Sequence, residues 1–191
     1  GAGGGYTSEG YLIHTEAGKT YLYLQHQSDN DSHYINIFDL TTKTPVYTGF
    51  TGSSWSASPI TDPDSFLLWD RLDVLGTYNA YREYHIGSDG MPQTEDELFR
   101  LDTANHENPV TLVSVRDLEV AVLKSGSQEQ ETIPSGTSFR ITATDGKSFV
   151  EAKMDDGRSC RIPVVKDADA WEWKINGVSE YECFEMLPYA G

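Results

Sequence analysis

Long apolar runs are missing from this 191-residue chain. Without a stretch of about 18 apolar residues, no helical membrane span is expected. Cations are scarce too: 14 Lys and Arg stand against 30 Asp and Glu, for a formal charge of −16. Phosphates and anionic membrane surfaces would repel such a chain, which sets nucleic acid and charged bilayers aside as partners. Only two cysteines occur, Cys160 and Cys183, and their spacing fits no zinc pattern. A disulfide, which an extracytoplasmic chain would permit, and a pair of small buried hydrophobes both stay open. The opening Gly1-Ala2-Gly3-Gly4-Gly5 has neither the charged nor the apolar region of a leader. It reads as part of a flexible spacer over residues 1–10.

Catalytic signatures are equally sparse. Gly52-Ser53-Ser54 lies in a loop, without the strand-then-helix setting of a nucleophile elbow. The glycines of 87–90 precede no Lys-Ser/Thr pair and open no long helix, so no phosphate cradle is expected. His26, Asp29, Asp31 and His33 fall within eight residues and have the chemistry of a metal site. A solvated hairpin loop accounts for them as well, because Asp and Asn favour turns. Asp62-Pro63-Asp64 and Asp89-Gly90 read the same way, and neither has the spacing of an EF-hand loop. Thirty carboxylates make some close acidic pair inevitable, so glycosidase-like pairs carry no information. His85, on an alternating strand, reads as a partly buried hydrogen-bonding residue. No catalytic, cofactor-binding or metal residue is assigned.

What the chain does have is β grammar. In 137–164, Phe139, Ile141 and Ala143 alternate with Arg140, Thr142 and Thr144; Val150, Ala152 and Met154 form a second apolar set, and Cys160, Ile162 and Val164 a third. A two-residue Gly146-Lys147 turn of type II′ would pair Ala143 with Val150, Ile141 with Ala152 and Phe139 with Met154. At the next connection a two-residue Asp156-Gly157 turn would bury the wrong face. A three-residue loop, Asp155-Asp156-Gly157, pairs Ala152 with Cys160 and places Glu151 opposite Arg161.

With Ile133-Pro134-Ser135-Gly136-Thr137 ahead of them, these strands and their Asp145-Gly146 and Asp156-Gly157 turns resemble a bacterial SH3-like barrel over residues 118–164. The 1–102 half and the closing Cys-Phe-Glu-Met-Leu-Pro-Tyr-Ala-Gly are similar to secreted lipoproteins of unknown function from Gram-positive gut bacteria. That resemblance implies an extracellular or cell-surface anchored protein and carries over no functional residue.

Elsewhere, 20–25 and 34–39 alternate as two strands of one hairpin, with shorter strands at 11–14 and 46–50. The hairpin has the grammar of a propeller blade, but no internal repeat supports a propeller. Segments 66–75, 78–86, 110–115, 118–123 and 171–175 read as further strands, and 124–132 as a long polar loop. Capping boxes at Thr94-Glu95-Asp96-Glu97 and Ser179-Glu180-Tyr181-Glu182 predict short helices. The first would cover 95–101, where a strand is the alternative; the second would bring Tyr181, Phe184 and Leu187 onto one side before Pro188. Asn176-Gly177 predicts a turn.

The expectation is therefore a mainly β protein with one or two short helices: an antiparallel β domain over 11–109 and an SH3-like barrel domain over 110–191, divided at 103–109. The expected function is that of a monomeric, non-catalytic binding or adaptor protein without cofactor, whose ligand is an unknown cell-surface protein or glycan. A third reading is a structural fragment of a larger cell-surface assembly, in which exposed aromatics such as Trp55 and Trp69 meet a partner, although aromatics of this number also simply fill a β core. The alternative is a carboxylate- or metal-dependent hydrolase.

Overall fold

The protein is mainly β. The computed structural model describes residues 6–27, 33–52, 54–101 and 110–190, the side chains of 6–8 excepted. Strands run in the order β1 (Tyr6–His14), β2 (Thr20–Gln27), β3 (His33–Asp39), β4 (Val46–Thr51), β5 (Phe66–Asp73), β6 (Thr77–Ile86), β7 (Pro92–Gln93), β8 (Phe99–Arg100) and β9 (Thr111–Val113). They continue with β10 (Leu118–Lys124), β11 (Ser127–Ile133), β12 (Ser138–Thr144), β13 (Phe149–Met154), β14 (Ser159–Pro163), β15 (Val165–Lys166), β16 (Trp173–Ile175) and β17 (Val178–Ser179). Among the described residues no helix is long and apolar enough to cross a membrane.

Two compact units divide the chain. The first comprises Gly1–Arg71 and Tyr81–Glu97, the second Leu72–Ala80 and Leu98–Gly191. The segment 103–109 lies outside the described residues, as do Ser53, Asp29 and Asp31.

In the first unit β1-β2-β3-β4 form an antiparallel meander. Alternation places Ile13, Tyr21, Tyr23, Ile35 and Ile37 on one face, where they bury against Ile60, Phe66 and Leu68. Tyr6 to Gly10, expected within the spacer, belong to β1 and continue its ladder to Tyr6↔Gln27. Gly90 has φ +84, which only glycine adopts freely, and its carbonyl accepts the Tyr23 hydroxyl at 2.7 Å.

In the second unit the strand order is β11-β10-β14-β13-β12, and β12 also pairs with β9 and β8. Ala152 stands opposite Cys160, Val150 opposite Ile162 and Glu151 opposite Arg161, the register that burial demands. Ala152, Cys160, Val150 and Ile162 are all fully buried. Met154 N–H donates to Arg158 O at 2.8 Å across the three-residue loop, whose Gly157 has φ +85. On the outer side Arg161 Nε reaches Glu151 Oε1 at 2.9 Å, and the guanidinium lies 4.2 Å from the Phe149 ring centroid.

The other hairpin corrects the expected turn. Phe139 does face Met154, and Ile141 faces Ala152, but a bulge then sets Ala143 against Glu151 and Thr144 against Val150. The connection spans 145–148 rather than Gly146-Lys147 alone. Asp145 is the cause: its Oδ1 accepts the backbone N–H groups of Lys147, Ser148 and Phe149 at 2.8–3.1 Å. Burial works against the Asp145 carboxylate, yet these bonds and the Ser148 hydroxyl hold its carboxyl below the ordinary value.

Three further expectations change. Residues 124–132 are largely a strand, β11, paired along β10 from Lys124↔Ser127 to Leu118↔Ile133. The segment 95–101 takes the strand alternative as β8. There the Thr94 hydroxyl accepts Asp96 N–H at 3.0 Å, and the Asp96 carboxylate accepts Glu83 N–H at 3.2 Å, so neither group caps a helix. The last capping box yields one 3₁₀ turn, Glu180–Glu182, with no side-chain cap from Ser179. Beyond it Val115 N–H donates to Cys183 O and Glu185 N–H to Val113 O, so the backbone enters strand-like pairing. Tyr181 is consequently exposed while Phe184 is buried. Asn176 and Gly177, both at positive φ, make the type I′ turn between β16 and β17.

Candidate binding face

The candidate site follows from period-two alternation along β5 and β6. Phe66 and Leu68 enter the core of the first unit, and Tyr84 and Ile86 pack against it. Leu67, Trp69 and Arg71 on β5, with Tyr81, Glu83 and His85 on β6, therefore share the opposite face. Trp69 and Tyr81 meet there, with ring centroids 4.9 Å apart and planes at 52°.

A loop adds the next ring. Trp55 N–H donates to Trp69 O at 2.9 Å and Trp69 N–H to Trp55 O at 2.7 Å, an isolated antiparallel bridge. Ser56 N–H donates to the buried Gln25 Oε1 at 2.8 Å, and Ser54 Oγ to Asp70 Oδ1 at 2.8 Å. These bonds on either side fix Trp55, whose ring lies 5.9 Å from that of Trp69 at 29°. His33 then lies 5.3 Å from Trp55 at 34°. The result is a half-buried row, His33–Trp55–Trp69–Tyr81. Burial pushes the Asp70 carboxyl above its ordinary value, while the Ser54 hydrogen bond and Arg82 oppose that shift.

The metal lead resolves differently. His26 stacks on Tyr34 at 4.9 Å and 10°, and His33 goes to Trp55. The other two members, Asp29 and Asp31, lie outside the described residues. Among the described residues no three His, Cys, Asp or Glu side chains are grouped to hold a metal ion. The remaining acidic leads cap their own turns: Asp62 Oδ1 accepts Asp64 N–H at 2.9 Å, and Asp89 Oδ1 accepts Met91 N–H at 3.0 Å. His85 is half-buried on β6, opposite Gln93.

Cys160 and Cys183 are both buried and unlinked. Burial pushes the Cys160 thiol up to about 12 and raises that of Cys183 as well, the reverse of what a nucleophile needs. Neither thiol of the native protein is expected to react with a disulfide reagent such as DTNB at pH 8, whereas both should react once guanidinium unfolds the chain. Rapid labelling of the native protein would contradict this placement.

Two other exposed apolar features compare poorly as recognition sites. The outward face of β1–β4 carries Leu12, Tyr47 and Phe50, but its central polar group, Asn36, is 6% exposed beneath them. Trp171, 95% exposed, stands on the connection between β15 and β16, where Lys166 lies over both it and Trp173. The β5–β6 face instead combines a ring row with exposed hydrogen-bonding groups, Arg71 and Glu83, the mixture that binding sites for polar ligands use. Trp55 and Trp69 stand out in the sequence; Tyr81 and His33 do not, although the 67-69-71 and 81-83-85 alternation predicts the shared face. No protein-family model, curated protein or solved structure matches this chain.

Proposed function

We propose that this chain is an extracytoplasmic, non-catalytic binding protein whose ligand rests on the His33–Trp55–Trp69–Tyr81 row. One observation carries the reading: four aromatic side chains from four separate parts of the first unit converge in a row and keep part of their surface in water. Rigid rings supply contact area at low entropic cost, which is why Trp and Tyr dominate binding hot spots. The second unit contributes no ring to that row, and its β12-β13-β14 meander with β10 paired along β14 supports reading it as an SH3-like barrel. The chain's acidic composition suits the extracytoplasmic setting that the resembled family implies.

Immobilised protein and polysaccharide fractions of a Gram-positive cell wall test this directly. The wild-type protein is expected to be retained on one of them, the Trp55→Ala/Trp69→Ala variant to be lost, and Trp171→Ala to behave as wild type. Far-UV circular dichroism establishes that each variant is folded. Retention indifferent to Trp69, or turnover of glycoside, ester or peptide substrates by the purified protein, would overturn the reading.

A further inference from the structure

We infer that the outward face of β1–β4 is where two copies of this chain meet, sheet against sheet, across a two-fold axis. The inference goes beyond the binding reading and does not depend on the aromatic row.

An antiparallel sheet with one face in water ordinarily alternates apolar and polar positions. This sheet does not. Its inner face buries Ile13, Tyr21, Tyr23, Ile35 and Ile37 in the core of the first unit. On the outer face the register lines up Leu12, Leu22, Phe38 and Tyr47 as one row across all four strands. Leu24, Asn36 and Phe50 form the next row. The Phe38 and Tyr47 rings meet edge to face at 5.4 Å, and the Tyr47 hydroxyl donates to Asn36 Oδ1 at 3.4 Å. Leu12, Tyr47 and Phe50 nevertheless stay 54–60% exposed. Beyond these rows His14 stands opposite Thr20 and His26 opposite Tyr34. No Asp, Glu, Lys or Arg occupies any of these positions, in a chain that is 23% charged. A sheet apolar on both faces has the character of a sandwich's middle layer, with a counter-layer about 10 Å away on each side.

Charge and area name the occupant. A chain of net charge −16 repels its own copies wherever carboxylates meet, and this face lets two copies approach without bringing charges together. A charged partner would find nothing here to pair with. The complement of such a face is another uncharged, twisted sheet. The same face of a second copy has the same right-handed twist, which lets two sheets stack at about −30°. A patch that contacts itself is what a two-fold axis requires. About 600 Å² of each copy would leave water, at the upper end of the apolar patches that monomers expose. The pair would bury about 1,200 Å², the lower limit of standard-sized interfaces. The complex is therefore a reversible one, with Kd on the order of 1–100 µM, a dimer where the sequence suggested a monomer.

Sedimentation velocity with the full chain, from about 1 to 300 µM, gives the test. Wild type is expected to pass from monomer to dimer across that range. Phe50→Glu and Leu12→Glu each place an unpaired carboxylate in the contact and should raise Kd by at least about 100-fold. Both positions are exposed in the single chain, and far-UV circular dichroism establishes that the variants are folded. Trp171→Glu adds the same charge at an exposed ring of the second unit and should leave Kd within about threefold of wild type. Raising NaCl from about 0.05 to 0.5 M should tighten the dimer severalfold, because screening relieves the repulsion between two acidic chains. The inference is overturned by a monomer throughout the range, by a dimer that survives both substitutions, or by a dimer that salt loosens. A monomer that floats with zwitterionic phosphatidylcholine vesicles through Phe50 would overturn it as well, and assign the face to lipid.

Discussion

Gly90→Ala is expected to destabilise the protein by about 2–4 kcal/mol, combining left-handed strain with overpacking of a filled core. The added Cβ would sit 2.3 Å from Tyr21 Cε1, and Tyr21 is fully buried and unable to retreat. Moving the 87–91 turn outward would instead break the Tyr23 hydroxyl bond to Gly90 O. Gly18→Ala provides the control, because Gly18 has a similar φ of +75 but nothing within 4 Å of the new atom. It should cost only about 1–2 kcal/mol, the conformational part alone. Urea unfolding of both variants separates the two contributions. Equal losses would show that the packing against Tyr21 is looser than its distances imply.

Glu180→Ala should cost a comparable amount, about 2–4 kcal/mol, since it strands two donors. Glu180 is completely buried; its Oε1 accepts Trp173 N–H at 2.9 Å and its Oε2 the Tyr189 hydroxyl at 2.7 Å. Burial pushes its carboxyl above the ordinary value, against the pull of these hydrogen bonds and of Lys166, and with the help of Glu172. A raised carboxyl binds its proton more tightly in the native state than in the unfolded chain. Stability from this group is therefore greatest at acid pH and declines as pH rises from the ordinary glutamate value through the raised native one. Glu180→Gln keeps an acceptor for Trp173 and can donate to the Tyr189 oxygen, but carries no charge. It should be far milder than Glu180→Ala near pH 7, and its unfolding free energy should lack that decline. A Glu180→Gln profile parallel to wild type through this window would place the titration elsewhere.

The parts of the fold legible in the sequence are those where burial and alternation coincide. Phe139–Met154 and Ala152–Cys160 could be paired in advance because one register alone buries both apolar sets. The bulge before Asp145 could not. It exists because one carboxylate gathers three backbone donors, an arrangement with no periodic trace. β11 was hidden for a related reason: Ser127-Gln128-Glu129-Gln130-Glu131-Thr132 is exposed on both faces and has no apolar phase to read. Both capping boxes were chemically sound, but tertiary partners claimed the same groups, Asp96 by Glu83 and Glu180 by Trp173 and Tyr189. The aromatic row was half legible. Trp55 and Trp69 are conspicuous residues, yet the bridge that joins them spans 14 positions and leaves no local pattern.

The hidden strand has a consequence of its own. β11 closes one side of its sheet with Glu129 and Glu131, which pair with the neighbouring Lys124 and Arg158. A second molecule offering the same margin would bring carboxylate against carboxylate before any main-chain ladder could form, so edge-to-edge stacking is opposed at high concentration. Part of the chain's acidity thus reads as insulation along an open sheet edge.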